Sequence, residues 1–207
     1  MKICALALLL AAALAVVPLR SIAEPSTAGP KNGTVLIIRH AEKPPDDDPS
    51  PLLIPAGSDR AQKYVDYFKQ LTIGRQPAVP SFVFVAANSK KSRRPWLTVE
   101  PLINSLHLPF DNSIKDQDFA QVVNNLKSDK FDGATVLVCW HHGNIPPLLD
   151  ALGANHKMLL GKKTWPTQVF GWLVELQFDP SGALKSSVVI NEHLMDDDNQ
   201  DPPPPAR

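Results

Sequence analysis

Val35-Leu36-Ile37-Ile38-Arg39-His40-Ala41-Glu42-Lys43 is the stretch on which the reading of this chain turns. Four apolar residues, three of them β-branched, run straight into polar ones. A short continuous apolar run reads as a strand buried on both faces, as in a parallel sheet. In open α/β sheets, ligands bind at the carboxyl ends of such strands. Arg39 and His40 therefore stand where a site is expected. Arginine offers a planar fork of donors suited to phosphate. Histidine offers a nitrogen that is neutral near pH 7 and can act as nucleophile or base.

Working outward, the strand Thr34–Ile38 is followed by Pro44-Pro45-Asp46-Asp47-Asp48-Pro49-Ser50-Pro51, which is loop. The three Asp read as solvated charge rather than a metal site. Gly57–Gln70 has helical spacing at Ala61, Tyr64, Val65 and Phe68, with Ser58 or Asp59 to cap it. Phe82–Ala86 is a second buried strand, ending near Ser89 to Arg94. Helices are expected from Pro95 to Leu106 and from Asp116 to Lys127. Ala134–Trp140 is a third buried strand, running into His141-His142-Gly143 and a helix from Ile145 to Leu152. Val169–Phe178 and Lys185–Ile190 read as closing strands joined by the turn Asp179–Gly182. The alternation makes the class α/β, with a mainly parallel central sheet. Three strands deliver polar clusters to one edge of that sheet: Arg39-His40, Ser89 through Arg94, and His141-His142. Together they form a phosphoryl-binding set with a nucleophile in it. Because adjacent residues of an extended chain point opposite ways, only one of His141 and His142 is expected in the pocket.

Both ends of the 207-residue chain read as extensions of one domain, 34–195. Met1-Lys2, the apolar run Ile3–Val17 and Ser21-Ile22-Ala23 form a secretory signal peptide, 1–23, cleaved after Ala23. The run is shorter than the ~20 residues needed to span a bilayer, so an anchor ranks second. The mature protein is expected to be exported, periplasmic or secreted, with no membrane attachment. Residues 24–33 read as a flexible lead-in, and 196–207 as a disordered acidic and Pro-rich tail. Removing Lys2 and Arg20 from 21 basic residues leaves 19 against 21 acidic ones, a net charge of −2. That balance carries no nucleic-acid footprint. Only Cys139 survives cleavage, so no internal disulfide is available.

Arg39-His40-Ala41-Glu42 resembles the Arg-His-Gly-Glu signature of the histidine phosphatase superfamily, the phosphoglycerate-mutase-like fold. Arg94 through Leu102 is similar to that family's block Arg-x-x-x-Thr-x-x-Pro-Leu. Val136 through Gly143 resembles its late strand ending in His-Gly, and Gly57-x-x-Arg60-Ala61 a lesser block. The resemblance spans most of residues 34–153. It implies a three-layer α/β/α sandwich and a metal-independent phosphatase without cofactor, acting on a small phosphorylated substrate or a phosphoprotein. It makes His40 the phosphorylated nucleophile, Arg39 and Arg94 the phosphate clamps, and His142 the second histidine, protonated at the phosphoryl oxygens. Ser89 and Lys43 join them as substrate-binding residues. Arg93 rivals Arg94, since Ser89 stands four residues before it.

The chain departs from that pattern in two places. Ala41 replaces the glycine. No clear general acid follows the second block, and Asp111, His107 and Glu42 are the candidates. Lacking one, the site suits substrates with good leaving groups. The alternative function is a catalytically weak relative that binds phosphorylated ligands. A metal site built from His40, His141, His142 and Asp46–Asp48 is a more distant reading, because the arginines would repel a cation and the spacing fits no zinc pattern.

Overall fold

The computed structural model describes residues 28–204. The expected signal peptide lies outside the described residues. In chain order the elements are β1 (Thr34–Arg39), α1 (Pro55–Lys69), β2 (Thr72–Ile73), β3 (Gln76–Pro77), β4 (Phe82–Val85) and α2 (Arg94–Leu106). There follow β5 (Phe110–Asp111), α3 (Ala120–Leu126), β6 (Thr135–Trp140), α4 (Ile145–Ala151), α5 (His156–Leu160), β7 (Trp172–Phe178) and β8 (Leu184–Asn191). Six of the strands form one sheet in the order β5-β4-β6-β1-β7-β8. β5, β4, β6 and β1 are parallel, while β7 and β8 close the sheet antiparallel.

The pleat explains the three layers. Successive strand residues face opposite ways. Val35 and Ile37 of β1, with Val136 and Val138 of β6, pack with α3, α4 and α5 through Val122, Leu126, Leu148 and Leu160. Leu36 and Ile38, with Leu137 and Cys139, pack with α1 and α2 through Tyr64, Phe68, Val99 and Leu102. Helices thus cover both faces, giving the expected three-layer α/β/α sandwich. Each such fully buried Leu, Ile or Phe contributes about 1.5–3 kcal/mol by leaving water.

Several boundaries move. α1 starts at Pro55, in the first turn, where a missing N–H costs nothing. Ser58 and Asp59 do not cap it; the Ser58 hydroxyl instead donates to Ile54 O at 3.4 Å. The expected helix 116–127 splits into a 3-10 turn, Asp116–Asp118, and the shorter α3.

The described parts of the two extensions differ from the loose segments expected of them. The Ala28 and Gly29 amides donate to Gly182 O at 2.8 and 3.0 Å, and Gly29 and Pro30 are buried. A side chain at Gly29 would strike the Phe178 ring. At the other end, the Asp198 carboxylate takes two hydrogen bonds from Arg60, at 2.9 and 2.6 Å. The Trp172 indole donates to Gln200 O at 2.6 Å. A buried guanidinium needs anions, and the tail supplies one beside Glu42.

Register places the site. Arg39 pairs with Trp140, and Val85 with Cys139, so β1, β4 and β6 all end at one edge.

Candidate active site

At that edge lies a crevice of about 570 Å³. Its lining includes His40, Lys43, Ser89, Arg94, Asp116, His141 and His142. Among the described residues, no group of three or more His, Cys, Asp or Glu is placed to hold a metal ion.

His40 follows directly from β1. Its amide donates to Trp140 O at 3.0 Å, extending the sheet by one bond. Its Nδ1 lies 2.8 Å from Ala41 O. A carbonyl oxygen only accepts, so Nδ1 carries the proton and Nε2 carries a lone pair. Burial pushes the imidazole well below its ordinary value, and the Arg39 charge pushes it the same way. His40 is therefore neutral at pH 7.

Arg39 is fully buried beside it. Its Nη1 donates to Thr167 O at 2.6 Å and Val169 O at 3.1 Å, and its guanidinium sits 4.0 Å over the Phe170 ring. Nε and Nη2 are buried without a partner. Burial lowers this guanidinium to about 10, and Arg94 adds to the lowering. The sequence carried no signal for Thr167, Val169 or Phe170, since they enter the site through a loop before β7.

Arg94 opens α2 and lines the crevice, whereas Arg93 is exposed and outside the lining. Arg94 Nη1 donates to Ser50 O at 2.9 Å, and its Nε is a buried unpaired donor. Three buried nitrogens on two arginines thus lack acceptors. Arg94 lines the crevice, where an anion could take its free donor; Arg39 lies behind His40, fully buried and outside the lining.

Both His141 and His142 line the crevice. The expectation that only one would enter fails because β6 ends at Trp140 and the chain turns at once. The Asn144 and Ile145 amides close that turn onto His141 O, at 3.0 and 3.2 Å. The His40 ring centroid is 5.2 Å from that of His141 and 6.5 Å from that of His142. His142 Nδ1 is buried and unpaired. Burial first, then nearby cations, lowers both imidazoles to about 4. His142 is therefore neutral in the free protein at pH 7, whereas the protonated form is expected of the phosphoryl-bound site. It can still donate through one ring N–H.

Lys43 and Ser89 reach the crevice, but neither is idle. The Lys43 ammonium is paired with Asp46 at the rim. Ser89 Oγ accepts the Ser92 amide at 3.1 Å, closing its own turn.

The three expected acid candidates are elsewhere. Glu42 Oε1 accepts Arg60 Nε and Nη2 at 2.8 and 2.6 Å. This anchors the His40 loop from beneath by a buried ion pair. Asp111 accepts the Ser113 amide and hydroxyl, and His107 ends α2 in the left-handed conformation. None of the three lines the crevice. Among the described residues the carboxyl group in its lining is that of Asp116, which the sequence marks only as a helix start.

No family model matches this chain, and no curated protein matches it. Solved structures similar to it include those of two SixA proteins. The protein histidine phosphatase SixA complexed with tungstate is 18% identical, covering 75% of this chain and 96% of its own, with a TM-score of 0.48. SixA from Agrobacterium tumefaciens is 13% identical, covering 75% of this chain and 97% of its own, with a TM-score of 0.49.

Proposed function

We propose that this protein is a phosphatase of the histidine phosphatase superfamily, using His40 as nucleophile. The observation that carries the reading is the pairing of His40 Nδ1 with Ala41 O beside the unpaired Nε and Nη2 of Arg39. The first fixes a lone pair on Nε2. The second leaves cationic donors waiting for oxygen.

In this reading a phosphoryl group lies among Arg39, Arg94, His142 and His40. The arginines hold its equatorial oxygens, where charge must be stabilised during transfer. His40 Nε2 attacks phosphorus, and the leaving oxygen departs with the bonding pair. Water then attacks the phosphohistidine and releases phosphate. Each step uses groups already oriented, so little reorganisation is needed. The apolar run at 3–17 and Ser21-Ile22-Ala23 support a mature chain that starts at Glu24 and works outside the cytoplasm.

The direct test is phosphate release from an activated aryl phosphate by the mature chain. The wild type should turn over, and His40→Ala should not. Phosphate release by neither would favour the alternative, a pocket that binds phosphorylated ligands without hydrolysing them.

A further inference from the structure

Asp116 is held in the crevice from the segment that carries the two histidines. Its backbone carbonyl accepts the Trp140 indole N–H at 3.0 Å, and its Oδ2 accepts a hydrogen bond from the Asn144 side-chain Nδ2 at 2.6 Å. Trp140 and Asn144 flank His141-His142-Gly143. The other oxygen, Oδ1, is buried and has no partner. A carboxylate oxygen left bare in this way is costly unless something shares a proton with it. Phosphate oxygens gathered by Arg94 would lie across the same crevice, which Arg94 and Asp116 both line. A solvated surface acid would show neither the clamp on Oδ2 nor the bare Oδ1.

We propose that Asp116 is the proton donor to the leaving group, and that the site takes phosphate monoesters of ordinary alcohols. The proposal rests on the histidine-nucleophile reading above. It reverses the expectation of good leaving groups only. Burial pushes the Asp116 carboxyl up, against the opposing Asn144 bond, and a bound phosphoryl dianion acts in the same direction as burial.

The chemistry balances. His40 Nε2 supplies a lone pair to phosphorus. The P–O bond to the alkoxide breaks, its pair stays on oxygen, and the Asp116 proton moves to that oxygen, giving a neutral alcohol. In the second step Asp116, now a carboxylate, takes a proton from water as the water oxygen bonds to phosphorus. The P–N bond breaks, its pair returns to Nε2, and phosphate leaves. Asp116 ends as the acid it began as.

The experiment measures first-turnover rates of the mature chain on a series of aryl and alkyl phosphates of graded leaving-group pKa. Asp116→Asn should lose about 100-fold or more on alkyl phosphates, and several-fold less on the most acidic phenol. The plot of log rate against leaving-group pKa therefore steepens. Vanadate binding checks that the variant is folded, and Asp116→Ser is read in the same way should Asn not fold. An equal loss at every leaving group would overturn the role of Asp116 and leave the His40 reading intact. A wild type that releases phosphate from no ester would overturn both.

Discussion

The Thr98 side chain joins the two halves of the site: its Oγ1 accepts the Ala41 amide and donates to Arg94 O, both at 2.8 Å. Thr98 is wholly buried. The residue after His40 is thereby tied to the first turn of α2, where Arg94 begins. The Arg-x-x-x-Thr spacing has this physical content, because a threonine hydroxyl reaches the carbonyl four residues back in a helix.

Thr98→Val keeps the shape and removes both bonds, leaving the Ala41 amide buried and unpaired. It should lower unfolding free energy by about 1–3 kcal/mol. It should also reduce phosphate affinity, since the His40 and Arg94 loops are no longer fixed together. Thr98→Ser should restore most of both. Denaturant unfolding and calorimetric phosphate titration measure them; full affinity in Thr98→Val would show that the bond does not position the site.

Arg94 and Arg93 should differ sharply in anion binding. Arg94→Ala removes a lining side chain with a buried free donor, and should weaken vanadate or phosphate binding by about 10-fold or more. Arg93→Ala removes an exposed one and should change little. Arg39→Lys should fail to substitute, because a point charge has no bidentate fork. Equal effects of the two alanine variants in a competition titration would refute this assignment.

The histidines set a pH dependence of stability. Unfolded imidazoles titrate near 6.5, while His141 and His142 titrate at about 4 in the fold. The unfolded chain therefore binds more protons between those values. Their contribution is intact above pH 6.5 and is lost as pH falls toward about 4. Buried Glu192, raised to about 8 by its burial, works in the opposite sense, so the whole-protein slope mixes the two. A His141→Asn, His142→Asn double variant isolates the effect. Its stability relative to the wild type should rise as pH drops through that window; parallel curves in denaturant unfolding would contradict the lowered values.

Much of this architecture is legible in the chain because burial writes itself into composition. β1, β4 and β6 are covered on both faces, so they read as unbroken apolar runs. α1 shows its inward face through Ala61, Tyr64 and Phe68. By contrast β2, β3 and β5 are two residues long and exist only through pairing. Asp198 looked like solvated tail charge, because its partner Arg60 is far away in sequence. Asp116 looked like an ordinary helix start, because the sheet order alone brings it to Asn144. His141 was turned away from the pocket by continuing the strand alternation one residue beyond its end. For Asp198 and Asp116 local pattern is overruled by a contact between distant segments, and for His141 by a turn that follows the strand at once.

The central claim is that phosphate passes through His40. Its most direct test is to quench turnover of a fast-leaving aryl phosphate, labelled at phosphorus, and map the label by peptide. The account predicts one phosphoryl group, labile to acid and stable to alkali, on the peptide containing His40. It predicts none in His40→Ala, with activity lost as well. Near-normal phosphate release by His40→Ala, or label on another residue, would contradict it.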